Sequence, residues 1–211
     1  MQELVQQLTQ QLQQELPGRE AQYKMAHGIR HNYREVPDDA RQACVLALLY
    51  PIDGVEHIVL IQRVSNDNPN DRHRGQISFP GGKLEESDSS LEAGALREAQ
   101  EEVNADPEKI QLIGKLTELY IPVSNFLVHP FVGYSSERPD FQPQLSEVAD
   151  ILEVPLRDLL NPDNLSMRDI RIDKHITLKR VPYFDIQNQV IWGATAMMLS
   201  ELLTLLRAIR N

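Results

Sequence analysis

The stretch GGKLEESDSSLEAGALREAQEEVN, residues 81–104, sets Glu98, Glu101 and Glu102 within little more than one helical turn. At about 100° per residue, Glu98 and Glu102 lie almost one above the other on a helix, and Glu101 projects roughly 60° to one side. Like charges at this spacing repel. A hard divalent cation such as magnesium or manganese takes oxygen ligands, commonly one or two carboxylates with waters and substrate phosphates, and would relieve that repulsion. The chemistry suggested is therefore cation-assisted. Glu98, Glu101 and Glu102 are candidate metal ligands, and Gly82 offers a further oxygen because the Pro80-Gly81-Gly82 turn lets backbone carbonyls approach an ion. Arg97, four residues before Glu101, is placed to orient it through an ion pair. A solvated acidic helix face is the alternative use of the same residues.

The helix that must carry these groups is well signalled. Ser89 to Glu92 fits a Ser-x-x-Glu capping box, and Asp88 adds negative charge near the start. Leu96, Ala99 and Val103 fall on a separate arc suited to core packing. Gly94 inside the helix costs roughly 1 kcal/mol relative to alanine, and with Ala95 it predicts room for a ligand on the acidic side.

Around this helix the chain alternates strand and helix patterns. Leu4, Leu8, Leu12 and Leu16, with Val5, predict an amphipathic helix over 2–16 ended by Pro17-Gly18, and residues 17–40 read as an irregular arm. ACVLALLYPI and HIVLIQRV predict two antiparallel strands turned at Asp53-Gly54. A polar loop, 65–74, leads into GQISFPGG. Further strands are predicted in KIQLIGKLTEL, FLVHPFVGYS and VADILEVPL and in the paired runs HITLKRV and YFDIQNQVIW, before a packed helix from Ala194 to Arg210. The order predicts an α/β fold, a mixed sheet between helices. Residues 1–40 form its N-terminal helix and arm, and 41–211 its main domain.

Composition narrows the partners. With 211 residues, 41% hydrophobic and 25% charged, the chain reads as one globular domain without a membrane-crossing run. Its start has neither a basic leader nor an apolar signal core, so a cytoplasmic location is expected. Cys44, inside an apolar strand, reads as buried rather than reactive. A net charge of -10 argues against general nucleic-acid binding. A small anionic substrate would need local positive charge, from arginines or a bound cation.

The residues of 82–104 resemble the signature of the Nudix hydrolases, in which a glycine, a loop and an Arg-Glu-x-x-Glu-Glu helix bind divalent metal against a diphosphate. The matching positions are Gly82, Arg97, Glu98, Glu101 and Glu102. Asp88 stands where that family usually has glutamate, one residue farther from the arginine. Asn104 stands where glycine usually follows, and asparagine is the next-best residue for a left-handed helix end. Upstream, QRVSNDNPNDRHRGQISFPGG resembles a narrower group, the coenzyme A pyrophosphatases, through Arg63, His73, Gly75, Phe79, Pro80, Gly81 and Gly82. Ser65 is displaced by one residue from that pattern, and Asp71 replaces an expected arginine. IWGATA, 191–196, is similar to the same group.

The resemblance implies a Nudix-type α/β/α sandwich with a mixed β-sheet and an N-terminal helical extension, using Mg2+ or Mn2+ on a small nucleoside diphosphate substrate. It also admits a homodimer, to which the N-terminal helix could contribute. For the narrower group the implied reaction is hydrolysis of coenzyme A or its thioesters to 3',5'-ADP and 4'-phosphopantetheine. Arg72, His73 and Arg74 form a basic island suited to a terminal phosphate, and Arg63 and Gly81 join them as candidate substrate contacts. Glu147, just before a predicted strand, is the candidate base or extra ligand, with Glu101 next. Two other functions stay open: hydrolysis of another nucleoside diphosphate derivative such as ADP-ribose or a dinucleotide, and a non-catalytic nucleotide-sensing module. The intact metal glutamates speak against the latter.

Overall fold

The computed structural model describes residues 2–32, 35–65, 75–172 and 176–210. It opens with α1 (Gln2–Leu12) and α2 (Gly18–Gln22), followed by β1 (Arg41–Ile52), β2 (Val55–Arg63), β3 (Ile77–Ser78), β4 (Gly81–Lys83) and α3 (Leu91–Val103). Then come β5 (Gln111–Lys115), β6 (Leu119–Ile121), β7 (Phe126–Tyr134), β8 (Val148–Pro155), α4 (Leu156–Leu160), β9 (Leu165–Arg171), β10 (Thr177–Ile186), β11 (Gln189–Trp192) and α5 (Gly193–Arg210). None of the described helices is long and apolar enough to cross a membrane.

The large sheet runs β3-β2-β1-β7-β5, with β4 on β1, β6 on β7 and β8 on β2; a smaller sheet runs β11-β10-β9. Among the described residues only the β1–β7 pair is parallel, so the large sheet is mixed. The β1–β2 hairpin turns at Asp53 (φ 49°) and Gly54 (φ 76°), the left-handed pair that a two-residue hairpin needs.

Alternation along β1 divides the core. Cys44, Leu46, Leu48 and Tyr50 pack with Ala95, Ala99 and Val103 of α3, while Ala43, Ala47 and Leu49 join the cluster of α1 and α5. The result is an α/β/α sandwich with a mixed sheet, preceded by the helix α1. At Gly114 an added Cβ would stand 2.7 Å from Leu12 Cβ, so the missing side chain is what lets α1 lie against β5.

Three local readings change. The first helix stops at Leu12 rather than 16: the chain tightens there, Gln13 N–H donating to the Gln10 carbonyl at 3.3 Å and Gln14 N–H to that of Gln11 at 3.1 Å, ahead of Leu16, which the following proline bars from helical conformation. Pro17-Gly18 then starts α2, in a segment read as irregular. Five residues are too few to show a period, and tertiary bonds hold them instead. The fully buried Glu201 of α5 accepts from Gly18 N–H at 3.0 Å, Gln22 Nε2 at 2.9 Å and Thr117 Oγ1 at 2.6 Å. Further on, β10 is one strand where two paired runs are predicted. It absorbs Pro182 and a bulge between Leu178 and Val181, where Arg180 takes φ 50°, and the hairpin lies at Gln187 and Asn188. Its neighbour β9 has no apolar alternation and is almost wholly exposed, so the sequence pattern does not reveal it.

Candidate active site

The acidic helix α3 begins one residue later than its capping box suggests. Ser90, not Ser89, is the N-cap, and its Oγ accepts from Ala93 N–H at 3.1 Å. The cause is Asp88, which folds back to accept from Glu85 N–H at 2.8 Å and grips Arg97 with both oxygens, at 2.8 Å from Nε and 3.0 Å from Nη2. That pairing holds the Asp88 carboxyl below the usual range. At the other end Asn104 takes the left-handed conformation, φ 59° and ψ 30°, and donates its N–H to Gln100 at 2.9 Å. The exchange of glycine for asparagine therefore leaves the helix end intact.

Arg97 is a hub. Besides Asp88 it reaches Glu98 Oε1 at 3.0 Å, Glu101 Oε2 at 2.9 Å and the carbonyl of Lys83 at 3.3 Å. Its charge is thus shared among three carboxylates. Glu101 remains largely exposed, with its carboxylate on Arg97.

Gly81 and Gly82 bring β4 against both β1 and α3. A Cβ at Gly81, whose φ is 150°, would fall 2.3 Å from the Cys44 carbonyl oxygen, so only glycine fits. Its N–H donates to Glu102 Oε2 at 2.8 Å. A Cβ at Gly82 would lie 2.6 Å from Glu98 Oε1. The second glycine lets that carboxylate pack directly against the β4 backbone, where any side chain would displace it.

Glu102 is 2% exposed. Burial pushes its pKa up to about 7, against the opposing pull of the Gly81 N–H and Arg63, while the charges of Glu98 and Glu147 add to the rise. Glu98 is raised for the same first reason, burial, with Arg97 resisting. Arg63 at the end of β2 stands 3.6 Å from Glu102 Oε1, and its buried Nε has no partner. Glu147 sits in a turn fixed on two sides: Val64 N–H donates to its carbonyl at 2.8 Å, and Gln144 N–H donates to the Glu102 carbonyl at 2.9 Å. The charge of Glu147, although distant in sequence, adds to the rise at both Glu98 and Glu102.

Arg63, Gly81, Gly82, Glu98, Glu102 and Glu147 thus come together, with Arg97 and Glu101 alongside. Arg72, His73 and Arg74 lie outside the described residues. Asp88 is the residue whose part the sequence reading undervalued; an acid just ahead of a capping serine, with arginine a few turns down the helix, was the available signal. The expected room for a ligand at Gly94 is filled from within. An added Cβ there would meet Asp88 Oδ2 at 3.0 Å and Cys44 Sγ at 3.1 Å. Cys44 itself is fully buried, and burial followed by the charges of Asp88 and Glu98 pushes its thiol up to about 11. It is not a nucleophile in this state.

Among the described residues, no three His, Cys, Asp or Glu side chains gather in a metal-holding group. What the helix offers is the pair Glu98 and Glu102, with Glu98 against Gly82 and sharing Arg97 with two other acids, and Glu102 held by the Gly81 N–H with Arg63 at 3.6 Å. Two carboxylates with substrate phosphates and water match the ligand habits of magnesium, so the donor set fits such an ion.

The comparisons agree with this arrangement. The NUDIX domain family profile matches residues 40–175. The chain is 38% identical over 131 residues to a protein of Pectobacterium atrosepticum described as "Uncharacterized Nudix hydrolase NudL", a match covering 62% of this chain and 67% of that one. It is 34% identical over 158 residues to the NudL of Enterobacter sp. (strain 638), covering 74% and 79%. In fold it is similar to the Nudix hydrolase RenU of M. smegmatis (TM-score 0.51, 15% identity, 81% of this chain and 88% of that one). It is likewise similar to a MutT/nudix family protein of Enterococcus faecalis (TM-score 0.51, 14% identity, 89% and 73%). With a glycine opening, an arginine-tied acidic helix and a mixed sheet matched by that profile over 40–175, the chain belongs to the Nudix hydrolase family.

Proposed function

We propose that this protein hydrolyses the diphosphate linkage of a nucleoside diphosphate derivative, with magnesium or manganese held by Glu98 and Glu102 and the carbonyl of Gly82. The observation that carries the reading is the close approach of Glu98 to Gly82, where an added Cβ would lie 2.6 Å from its carboxylate oxygen, next to a second carboxylate that is almost fully buried. Bound there, the ion supplies positive charge to the diphosphate oxygens and acidity to the attacking water.

The chain's own residues prepare that site. Gly81 N–H fixes one oxygen of Glu102, and Arg97 fixes Glu98 while holding Glu101 at the margin. Arg63, at a loose 3.6 Å from Glu102 and with an unpartnered Nε, has donors left for a substrate phosphate. Glu147 is exposed and borders the metal carboxylates, which suits a base that takes the proton of water. Glu101 is second in line for that role. We take 41–211 as the catalytic domain and 1–40 as a docked arm.

Within this class we assign coenzyme A and its thioesters as the first substrates. The support is the similarity of Arg63, Gly75, Phe79 and Pro80 to Gly82, with IWGATA at 191–196, to the coenzyme A pyrophosphatases. The test is a panel of coenzyme A, an acyl-coenzyme A, ADP-ribose and a dinucleotide, each incubated with magnesium and with manganese. Release of 3',5'-ADP and 4'-phosphopantetheine is the expected result. Turnover of ADP-ribose or the dinucleotide alone would replace the finer assignment with the broader one, and binding without turnover of any would refute catalysis.

A further inference from the structure

The end of α3 and the loop that follows β7 are bound to each other in both directions. Residues 142–147 are all exposed, so no buried side chain of that run fixes Glu147. The loop is anchored where it enters, by Phe141 against the Tyr50 ring with centroids 5.1 Å apart, and where it leaves, by the buried Val148. Between those points hydrogen bonds hold it. Gln142 N–H donates to the carbonyl of Val103 at 3.1 Å and Gln144 N–H to that of Glu102 at 2.9 Å, using two of the carbonyls that a helix end leaves without partners. Glu147 N–H then closes a turn on the Gln144 carbonyl at 2.9 Å. In the opposite direction Asn104 Nδ2 donates to the Asp140 carbonyl at 3.0 Å. Because the acceptor is a carbonyl oxygen, the amide nitrogen is the atom that faces it.

We propose that Asn104 is a positioning residue: its side-chain amide, through Asp140, holds the loop that carries Glu147 against the end of α3 that carries Glu102. The inference rests on the reading of Glu147 as the base. Two demands meet at position 104. The backbone there is left-handed, with φ 59°, a conformation that favours glycine and, after it, asparagine. Glycine would end the helix equally well but brings no donor for Asp140, and aspartate, which also tolerates this conformation, has no N–H to give. The asparagine that stands where glycine is usual therefore adds a bond as well as ending the helix. In a loop without packed side chains, removing one neutral hydrogen bond raises local opening by about 3- to 10-fold.

Hydrogen exchange and kinetics test this together. Asn104→Gly and Asn104→Asp both keep a residue suited to the left-handed helix end and lack the donor. In each, the Gln142 and Gln144 amides are expected to exchange about 3- to 10-fold faster than in the wild type, while those of Ala99 and Gln100 inside α3 are unchanged. Turnover of coenzyme A with manganese by Asn104→Gly should lose a similar factor in kcat at unchanged KM and manganese affinity, a split that a merely structural role would not produce. In a Glu147→Gln background the same substitution should cost nothing further in kcat. Wild-type exchange at Gln142 and Gln144 in both variants would overturn the proposal, as would a loss of kcat that adds in full to that of Glu147→Gln. A Glu147→Gln variant with wild-type kcat would instead overturn the base reading, and exchange would still decide whether Asn104 holds the loop.

Discussion

Replacing Glu102 by glutamine should stabilise the metal-free protein while abolishing its activity. The carboxyl is buried, and burial raises its pKa from 4.5 to about 7. The folded state therefore binds this proton more tightly than the unfolded chain does. The associated stability is fully present below about pH 4.5 and is lost as pH rises through about 7. A shift of two to three units corresponds to about 3 kcal/mol against the ionised form at pH 8. Glutamine keeps an oxygen for the Gly81 N–H and removes the charge, so the variant should be more stable than wild type at pH 8 by about 2 to 3 kcal/mol, less whatever the 3.6 Å attraction of Arg63 contributes. For a chain of this size that is a rise in Tm of about 6 °C. Urea unfolding of both proteins in chelator at pH 5, 6, 7 and 8 reads the difference. The gap should be small at pH 5 and widen toward pH 8; saturating manganese should stabilise the wild type and scarcely affect the variant. A glutamine variant that is less stable at pH 8, or a gap that does not change with pH, would refute the reasoning that Glu102 is a desolvated and under-neutralised carboxylate.

Other substitutions separate the roles. Gly82→Ala should retain the fold but push Glu98 aside, lowering manganese affinity and turnover by about 10-fold or more, read by titration and by rate. Glu147→Gln should lower kcat by about 100-fold and flatten the acid limb of the pH–rate profile with little change in metal affinity; a matching loss of affinity would make Glu147 a ligand instead. At the end of α3, Asn104→Ala should cost about 1 kcal/mol and Asn104→Gly should be neutral or better, because φ is 59°, as urea unfolding would show.

Much of this architecture is legible in the chain because local chemistry and tertiary need coincide. Asp53-Gly54 dictates a two-residue turn, the apolar arc of Leu96, Ala99 and Val103 dictates which side of α3 meets the sheet, and Asn104 ends that helix as glycine would. The departures arise where distant contacts decide. Asp88 and Arg97 are nine residues apart and meet only because a turn folds back, which moves the helix cap to Ser90 and fills the space at Gly94. Nothing in a five-residue segment announces α2, since Glu201 holds it from the far end of the chain. The exposed edge β9 lacks the alternation by which buried strands are recognised. Within the site, the closeness of Glu98 and Glu102 is written in their spacing, whereas the approach of Glu147 and Arg63 depends on strand pairing between β2 and the segment before β8.

The most direct measurement is manganese binding at pH 8, followed by the loss of the free-ion electron paramagnetic resonance signal, in the wild type and in Glu98→Gln and Glu102→Gln. If two adjacent carboxylates on α3 hold the ion, the wild type binds it and each variant loses about 10-fold or more in affinity. Undiminished binding in both variants would put the ion elsewhere and contradict the assignment of this helix as the metal site.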